Sequence, residues 1–409
     1  MYPNLYFLFE DLFGFSHPFL KLINSFGFFV ALAFIAASSL LSAELKRKEN
    51  QGLMSPETRK VTYGEKMPFS EVIYSAIVGF ILGYKFIYLM INSSELFAGG
   101  NLPQEHIFSA EGSWLWGLIL AFAMGGYTYY KGKKEELPEP ITKDVKFHKY
   151  EYTGAITMVA AASGIFGAKL FHLFENPKEF MMFFQEPSVQ GFIGGLTIYG
   201  GLLVGGVVTY FYAKKKGIPG LHLLDAAAPG LMLAYAVGRI GCQVSGDGDW
   251  GIANPKPKPD WLTWLPDWMW SYEFPNNVNG VRGYYESGGY TGKSILEGMD
   301  WPIFEGYGTY LDPGVYPTAL YEIIMAGITF LLLWRWRKKI ATPGVLFALY
   351  LIFNGFERFW IEKIRVNSVY NIFGMEITQA EIISTLMFFA GIAMIYLLKK
   401  RAKSTPTAT

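Results

Sequence analysis

The chain has 409 residues, 51% hydrophobic and 17% aromatic, and only 17% are charged, against roughly 25% in a soluble domain. Its mean hydropathy is positive and its formal net charge is +1, so bulk electrostatics points to no nucleic-acid partner. A single cysteine, Cys242, excludes an internal disulfide framework and any metal site built from several cysteines.

Apolar runs of about 20 residues recur along most of the chain and predict an all-α polytopic membrane protein. Residues 1–21 carry Phe, Tyr and Leu with few charges and are too interrupted to span, which reads as an arm lying in the outer interface. They show no basic segment or cleavage site, so no removable signal peptide is expected. About nine transmembrane helices follow, near 22–43, 70–92, 114–131, 153–174, 188–212, 221–243, 317–336, 343–364 and 377–398. Residues 44–152 then hold cytoplasmic loops around an inserted helix pair, 70–131. Residues 153–243 and 317–398 supply the core helices, 244–316 a small external cap, and 399–409 a cytoplasmic tail.

Basic residues set the orientation. They cluster after the first span (Lys46, Arg47, Lys48), the third (Lys131, Lys133, Lys134), the fifth (Lys214–Lys216), the seventh (Arg335–Lys339) and the last. The intervening loops nearly lack them, so the N-terminus is expected outside and the C-terminus inside. Spans two and four share a short echo, Gly79, Gly83 and Lys85 against Gly164, Gly167 and Lys169, read as generic small-residue helix packing rather than a repeat.

Direction converts position into depth. Arg239 lies about 6 Å below the outer end of its span at 1.5 Å per residue. Glu357, Arg358 and Glu362 fall in the outer half of the eighth span, and Arg358 and Glu362 share one face. Lys169, Tyr321 and Glu322 also belong to the outer half, with Tyr199 roughly 16 Å down its span. A guanidinium in hydrocarbon cannot escape by deprotonation, so Arg239 and Arg358 predict a polar cavity for a phosphate at headgroup level. The glycines of Gly194-Gly195-Leu-Thr-Ile-Tyr199-Gly200-Gly201 read as a cavity wall, since paired glycines let a backbone approach a bulky neighbour. Ser245-Gly246-Asp247-Gly248-Asp249-Trp250-Gly251 does not complete a calcium-loop pattern and reads as a turn closing the pocket.

Taken in order, these residues resemble the prolipoprotein diacylglyceryl transferase family over about 153–398, with the first span also in place. Gly238-Arg239-Ile240-Gly241 closing at Trp250-Gly251 is similar to its signature, and the glycine-tyrosine segment to its double-glycine motif. Tyr316-Pro317-Thr-Ala-Leu320-Tyr321-Glu322 looks like its His-Pro-Ser-x-Leu-Tyr-Glu element. Phe356-Glu357-Arg358-x-x-x-Glu362 matches its penultimate helix, and Lys169 stands where an arginine is common. Departures mark a divergent branch: Tyr199 in place of histidine, Cys242 in place of asparagine, Phe26 in place of tyrosine, and a signature one residue longer.

The resemblance implies transfer of an sn-1,2-diacylglyceryl group from phosphatidylglycerol to the lipobox cysteine of a prolipoprotein signal peptide. It also implies a bacterial inner-membrane location, an active site toward the outer leaflet, membrane lipid as surroundings, and no cofactor or metal. Arg239 and Arg358 are then the phosphate holders, with Glu362 orienting Arg358 and Glu322 bracing the pocket. The base is open between Tyr199, Asp247 and Asp249; a tyrosine with a pKa of about 10 is poor unless a cation lowers it. Gly194, Gly195, Gly200, Gly201, Gly238, Gly241, Lys169, Tyr321, Trp250 and Gly251 complete the expected substrate site. A transporter or flippase of an anionic lipid or solute is the alternative, and a membrane scaffold would leave the buried arginines unexplained.

Overall fold

A computed structural model describes residues 1–97, 106–107, 109–177, 180–181, 195, 197–280, 283–285, 288–295, 301–367, 369–372 and 374–404. They divide into two compact units. One comprises Met1–Pro3, Ser25–Ser55 and His148–Thr409; the other comprises Asn4–Asn24 and Pro56–Phe147.

The second unit opens with helix α1 (Leu5–Phe13), whose first turn is capped by Asn4 and whose end turns on Gly14. Helix α2 (Ser25–Asn50) belongs to the first unit. Back in the second unit, α3 (Phe69–Ile81) passes through a π turn, Leu82–Ile87, into α4 (Tyr88–Leu96), and α5 spans Trp114–Glu135. Strands β1 (Glu57–Tyr63) and β2 (Ile141–Phe147) form an antiparallel pair in this unit.

The first unit continues with α6 (Thr153–Glu175), α7 (Ile198–Lys215) and α8 (Gly220–Ser245), then α9 (Thr318–Trp336), α10 (Val345–Glu362) and α11 (Gln379–Ser404). Each predicted span overlaps a helix, but the fifth, expected over 188–212, is helical only from Ile198 among the described residues; 188–194 and 196 lie outside them, and Gly195 and Thr197 are not helical. Among the described residues, six helical segments are long and apolar enough to cross a membrane: Ser25–Asn50, Phe69–Leu96, Lys149–Glu175, Gly220–Ser245, Thr318–Trp336 and Gln379–Ala402. Of the other three, α10 carries Glu357, Arg358 and Glu362, α7 ends in lysines, and α5 is rich in Gly and Tyr and also ends in charges. The protein is therefore a mostly helical polytopic membrane protein.

All-α needs one correction: the described residues include three small antiparallel sheets. The segment 244–316 is folded around a three-stranded sheet of β3 (Gly283–Tyr285), β4 (Tyr290–Ser294) and β5 (Thr309–Asp312). Its core is Trp250, Phe274, Tyr290, Leu311 and Val315. A further hairpin, β6 (Val369–Ile372) with β7 (Met375–Thr378), leads into α11. The arm 1–21 is not a single piece either, since Met1–Pro3 joins the cap segment: the Met1 amine donates to Pro275 O at 2.8 Å and Tyr2 N–H to Val244 O at 2.8 Å.

Helices α8, α9 and α10 pack through Met232, Ala236, Ala326, Leu333 and Leu346. Asp225 of α8 fixes the start of α10 by accepting from Gly344 N–H at 2.8 Å and Phe347 N–H at 3.0 Å, satisfying donors that a helix end leaves open. This packing brings the charged face of α10 beside Arg239 and Glu322.

Candidate active site

Glu322, one turn into α9, is fully buried and forms the centre of the site. Three arginines converge on it. Arg239 Nε from α8 is 2.8 Å from Oε2, Arg358 Nη1 from α10 is 2.9 Å from Oε1, and Arg365 Nη1, just past α10, is 3.6 Å from Oε1. Tyr235, one turn before Arg239, donates its hydroxyl to Oε1 at 2.8 Å and lies under the Arg239 guanidinium, 5.4 Å from ring centroid to Cζ. Burying such charges is tolerable only because they are paired and hydrogen-bonded together.

Asp249 is the second anion. Its two oxygens are taken by Arg239 and Arg365, and its carbonyl accepts from Thr318 Oγ1 at 2.8 Å. Gly251 makes this possible: it forms a β-bridge with Arg365, and a side chain there would meet Ile364 O at 2.4 Å. Burial disfavours the ionised Asp249, but the Arg239 and Arg365 guanidinium groups outweigh it and hold the pKa down to about 2. Asp247 goes the other way, pushed up by burial and by the neighbouring Asp249 charge. Asp249 is thus a fixed anion, and Asp247 is the better proton acceptor of the two. Cys242, Asp247 and Asp249 offer ligand atoms within 4.8 Å of one another, but two guanidinium groups already occupy Asp249 where a cation would sit.

A cavity of about 230 Å³ is lined by Tyr199, Arg358, Glu362, Asn367, Tyr370, Thr378, Gln379 and Ala380. Arg358 is 3.4 Å from Glu362 through Nη2, and Asn367 donates to the other Glu362 oxygen. The arginines therefore differ: Arg358 is in the cavity wall with its side chain 21% exposed, whereas Arg239 is 10% exposed and sits behind it on Glu322 and Asp249.

Several expected substrate contacts lie elsewhere. Trp250 is buried in the cap core and donates Nε1–H to Tyr290 Oη at 2.9 Å, because its bulk fills the space between cap strands. Tyr321 donates its hydroxyl to Met269 O at 2.8 Å, tying α9 to the cap. Gly200 and Gly201 bring α7 against α6, where side chains would meet Gly167 O at 2.5 Å and Gly164 O at 3.0 Å. Gly241 packs on Phe26 and Phe29 of α2, while Gly238 has open space beside it. Gly195, with φ +63°, sits over the His172 ring just before α7, and Lys169 is buried on α6. Gly194 lies outside the described residues.

Arg365 and Tyr235 were missed from sequence. Tyr235 had a signal in its spacing, four residues before Arg239 and so on the same side of α8, whereas Arg365 lies beyond the end of α10, where helical spacing gives no signal.

A family profile described as prolipoprotein diacylglyceryl transferase matches residues 113–397. The match takes in α5, one of the two helices read above as an insertion. The phosphatidylglycerol–prolipoprotein diacylglyceryl transferase of Bifidobacterium adolescentis is 29% identical over 260 residues, covering 61% of this chain and 67% of that protein. The enzyme of the same name from Cutibacterium acnes is 26% identical over 291 residues (70% and 78%), and that of Streptococcus pyogenes serotype M5 is 27% identical over 287 (70% and 87%). With well over half of its length inside the match, and with its arginine–glutamate centre built from the matched helices, the chain belongs to the prolipoprotein diacylglyceryl transferase family.

Proposed function

We propose that the protein transfers the sn-1,2-diacylglyceryl group of phosphatidylglycerol to the lipobox cysteine of a prolipoprotein. The substrate sulfur forms a bond to the glyceryl carbon that carries the phosphoester. That carbon–oxygen bond breaks, and glycerol phosphate leaves with its negative charge. One observation carries the reading: Arg358 lines a small cavity while sharing Glu322 with Arg239, so a polar hollow is bordered by a guanidinium that carboxylates hold in place. The cavity is smaller than the ~300 Å³ at the low end for ligand sites, which suits a headgroup whose acyl chains stay in the bilayer.

In this reading Arg358 contacts the departing phosphate, and donors aimed at developing charge in a water-poor site are worth more than in water. Arg239 and Arg365 keep Glu322 and Asp249 neutralised behind it. Glu362 orients Arg358. Asp247 as its carboxylate or Tyr199 as its phenolate takes the thiol proton, Tyr199 having the advantage of lining the cavity and Asp247 that of its raised pKa. The distribution of lysine and arginine favours an N-terminus outside, a C-terminus inside, nine spans and a site in the outer leaflet of a bacterial inner membrane.

The test is mass spectrometry of a lipobox peptide incubated with the purified protein in vesicles. A diacylglyceryl adduct that requires phosphatidylglycerol is expected. Movement of lipid across the vesicle without any adduct would favour the transporter instead.

A further inference from the structure

The echo between the second and fourth spans extends much further than Gly83/Gly167 and Lys85/Lys169, at their shared offset of 84, which sets Gly79 against Ser163 rather than Gly164. Strand β1, Glu57–Tyr63, is matched by β2, Ile141–Phe147; the helix starting at Phe69 by that starting at Thr153; and α5, starting at Trp114, by α7, starting at Ile198. The two strands pair with each other so that Lys60 stands opposite Asp144, its own counterpart. At this offset Thr58, Val61, Ala76, Gly83, Lys85, Leu89, Asn92, Glu95, Gly117 and Leu118 meet identical residues.

Local geometry repeats as well, and it does so inside each copy separately. Ser113 N–H donates to Tyr84 O at 2.9 Å, and Thr197 N–H to Ala168 O at 3.0 Å. Asn92 Nδ2 donates to Tyr88 O at 2.9 Å, and Asn176 Nδ2 to His172 O at 3.0 Å. A side chain at Gly83 would meet Trp116 O and one at Gly167 would meet Gly200 O, which are again counterparts. One added at Gly117 would meet Phe80 and Tyr84, and one at Gly201 would meet Gly164 and Ala168. The loop amide that reaches the counterpart carbonyl in both copies is not explained by small-residue packing alone, which constrains spacing along a helix but not which carbonyl a loop amide reaches. The copies differ at the π turn, Leu82–Ile87, where the second copy is α-helical.

We infer that residues 57–134 and 141–218 are two copies of one strand–helix–helix unit, and that Lys169 is a positioning residue which holds the backbone at Gly195, just before the helix that carries Tyr199. The first copy displays what this lysine does. Lys85 is buried in its helix, and its ammonium donates to Ser109 O at 2.7 Å, Ser109 Oγ at 3.0 Å and Glu111 O at 2.7 Å. Those carbonyls belong to the turn that delivers Ser113 to cap α5. Lys169 is the counterpart of Lys85 and is equally buried, and Gly195 is the counterpart of Glu111. An ammonium sealed by carbonyls satisfies its charge without an anion, which removes the reason to give Lys169 a lipid phosphate. Leu115 stands in the first copy where the second has Tyr199, so the first keeps the clamp without the hydroxyl. The inserted pair is thus a duplicate of the site hairpin that lacks its chemistry.

The role given to Lys169 rests on the transferase reading; the duplication and the clamp do not. The experiment combines hydrogen–deuterium exchange of the purified protein without substrate with kcat and KM for phosphatidylglycerol. In Lys169→Met the amides of 195–200 should exchange about fivefold faster or more, since a charged hydrogen bond to the turn is gone. Turnover should fall by about tenfold to a hundredfold through misplacement of Tyr199, with KM unchanged, and Lys169→Arg should restore both. Lys85→Met should speed exchange at 109–113 and leave kcat and KM as they were. A rise in KM in Lys169→Met with exchange unaltered would overturn the clamp and return the lysine to the lipid phosphate. Unaltered exchange at 109–113 in Lys85→Met would overturn the equivalence of the copies, even if Lys169→Met failed to accumulate. A protein without transferase activity would still give the exchange result, so the two readings fail separately.

Discussion

Glu322 is fully buried and faces Arg239, Arg358 and Arg365, so its removal leaves three guanidinium groups with only Asp249 and Glu362 to balance them in a low-dielectric site. Glu322→Ala should destabilise the protein by about 3–5 kcal/mol, read as a lowered midpoint of thermal unfolding in detergent. The two aspartates should separate by pH. The Asp249 pKa is depressed, so its stabilisation is complete above the ordinary value of 3.8 and is lost as pH falls through about 2. Asp249→Asn should flatten the acid side of the stability profile over that interval. The Asp247 pKa is raised, so its contribution is favourable at low pH and is lost as pH rises through the folded value. Asp247→Asn should then leave the unfolding midpoint at pH 7 unchanged or higher, while lowering turnover about a hundredfold if Asp247 takes the thiol proton. Unchanged turnover would assign the proton to Tyr199, which Tyr199→Phe tests directly. Arg239, Arg358 and Glu322 were legible in sequence because a charge inside an apolar run is conspicuous. Arg365 was not, because it follows the end of α10 and looks like an ordinary basic residue at an interface.

Among the elements, the link between cap and helices is the most sensitive to a single atom. Gly251 pairs with Arg365, with Ile252 N–H donating to Ile364 O at 2.9 Å and Gly251 N–H to Tyr316 O at 2.8 Å. Gly251→Ala places a methyl against Ile364 O and Tyr316, so it should move Arg365 off Asp249 and lower turnover about tenfold or more. Retained turnover, with the substituted protein folded, would remove Arg365 from the site. The helices were readable because hydrophobic length is a strong signal. The strands were not: β1 and β2 sit in charged loops, and the cap strands run three to five residues, too short for alternation to show. The duplication was also faint, since few identities survive between its copies and many exchanges change the character of the side chain, as at Lys60 and Asp144. Contacts preserve it where residue identity has drifted.

For the whole molecule, composition sufficed to assign a polytopic membrane protein, and the family match over 113–397 agrees with the resemblance seen in its motifs. What sequence could not show is the division of labour at the centre. Two arginines of similar depth looked alike, yet one borders the cavity and the other sits behind it among carboxylates. This arrangement predicts that Arg358 is the more direct partner of the leaving phosphate. The most direct measurement is the rate of diacylglyceryl adduct formation on a lipobox peptide, followed by mass spectrometry, for Arg358→Ala beside the unsubstituted protein in phosphatidylglycerol vesicles. The rate should drop by roughly a hundredfold to a thousandfold, as when one donor to a developing charge is removed. An Arg358→Ala protein that forms the adduct at an undiminished rate would contradict the account.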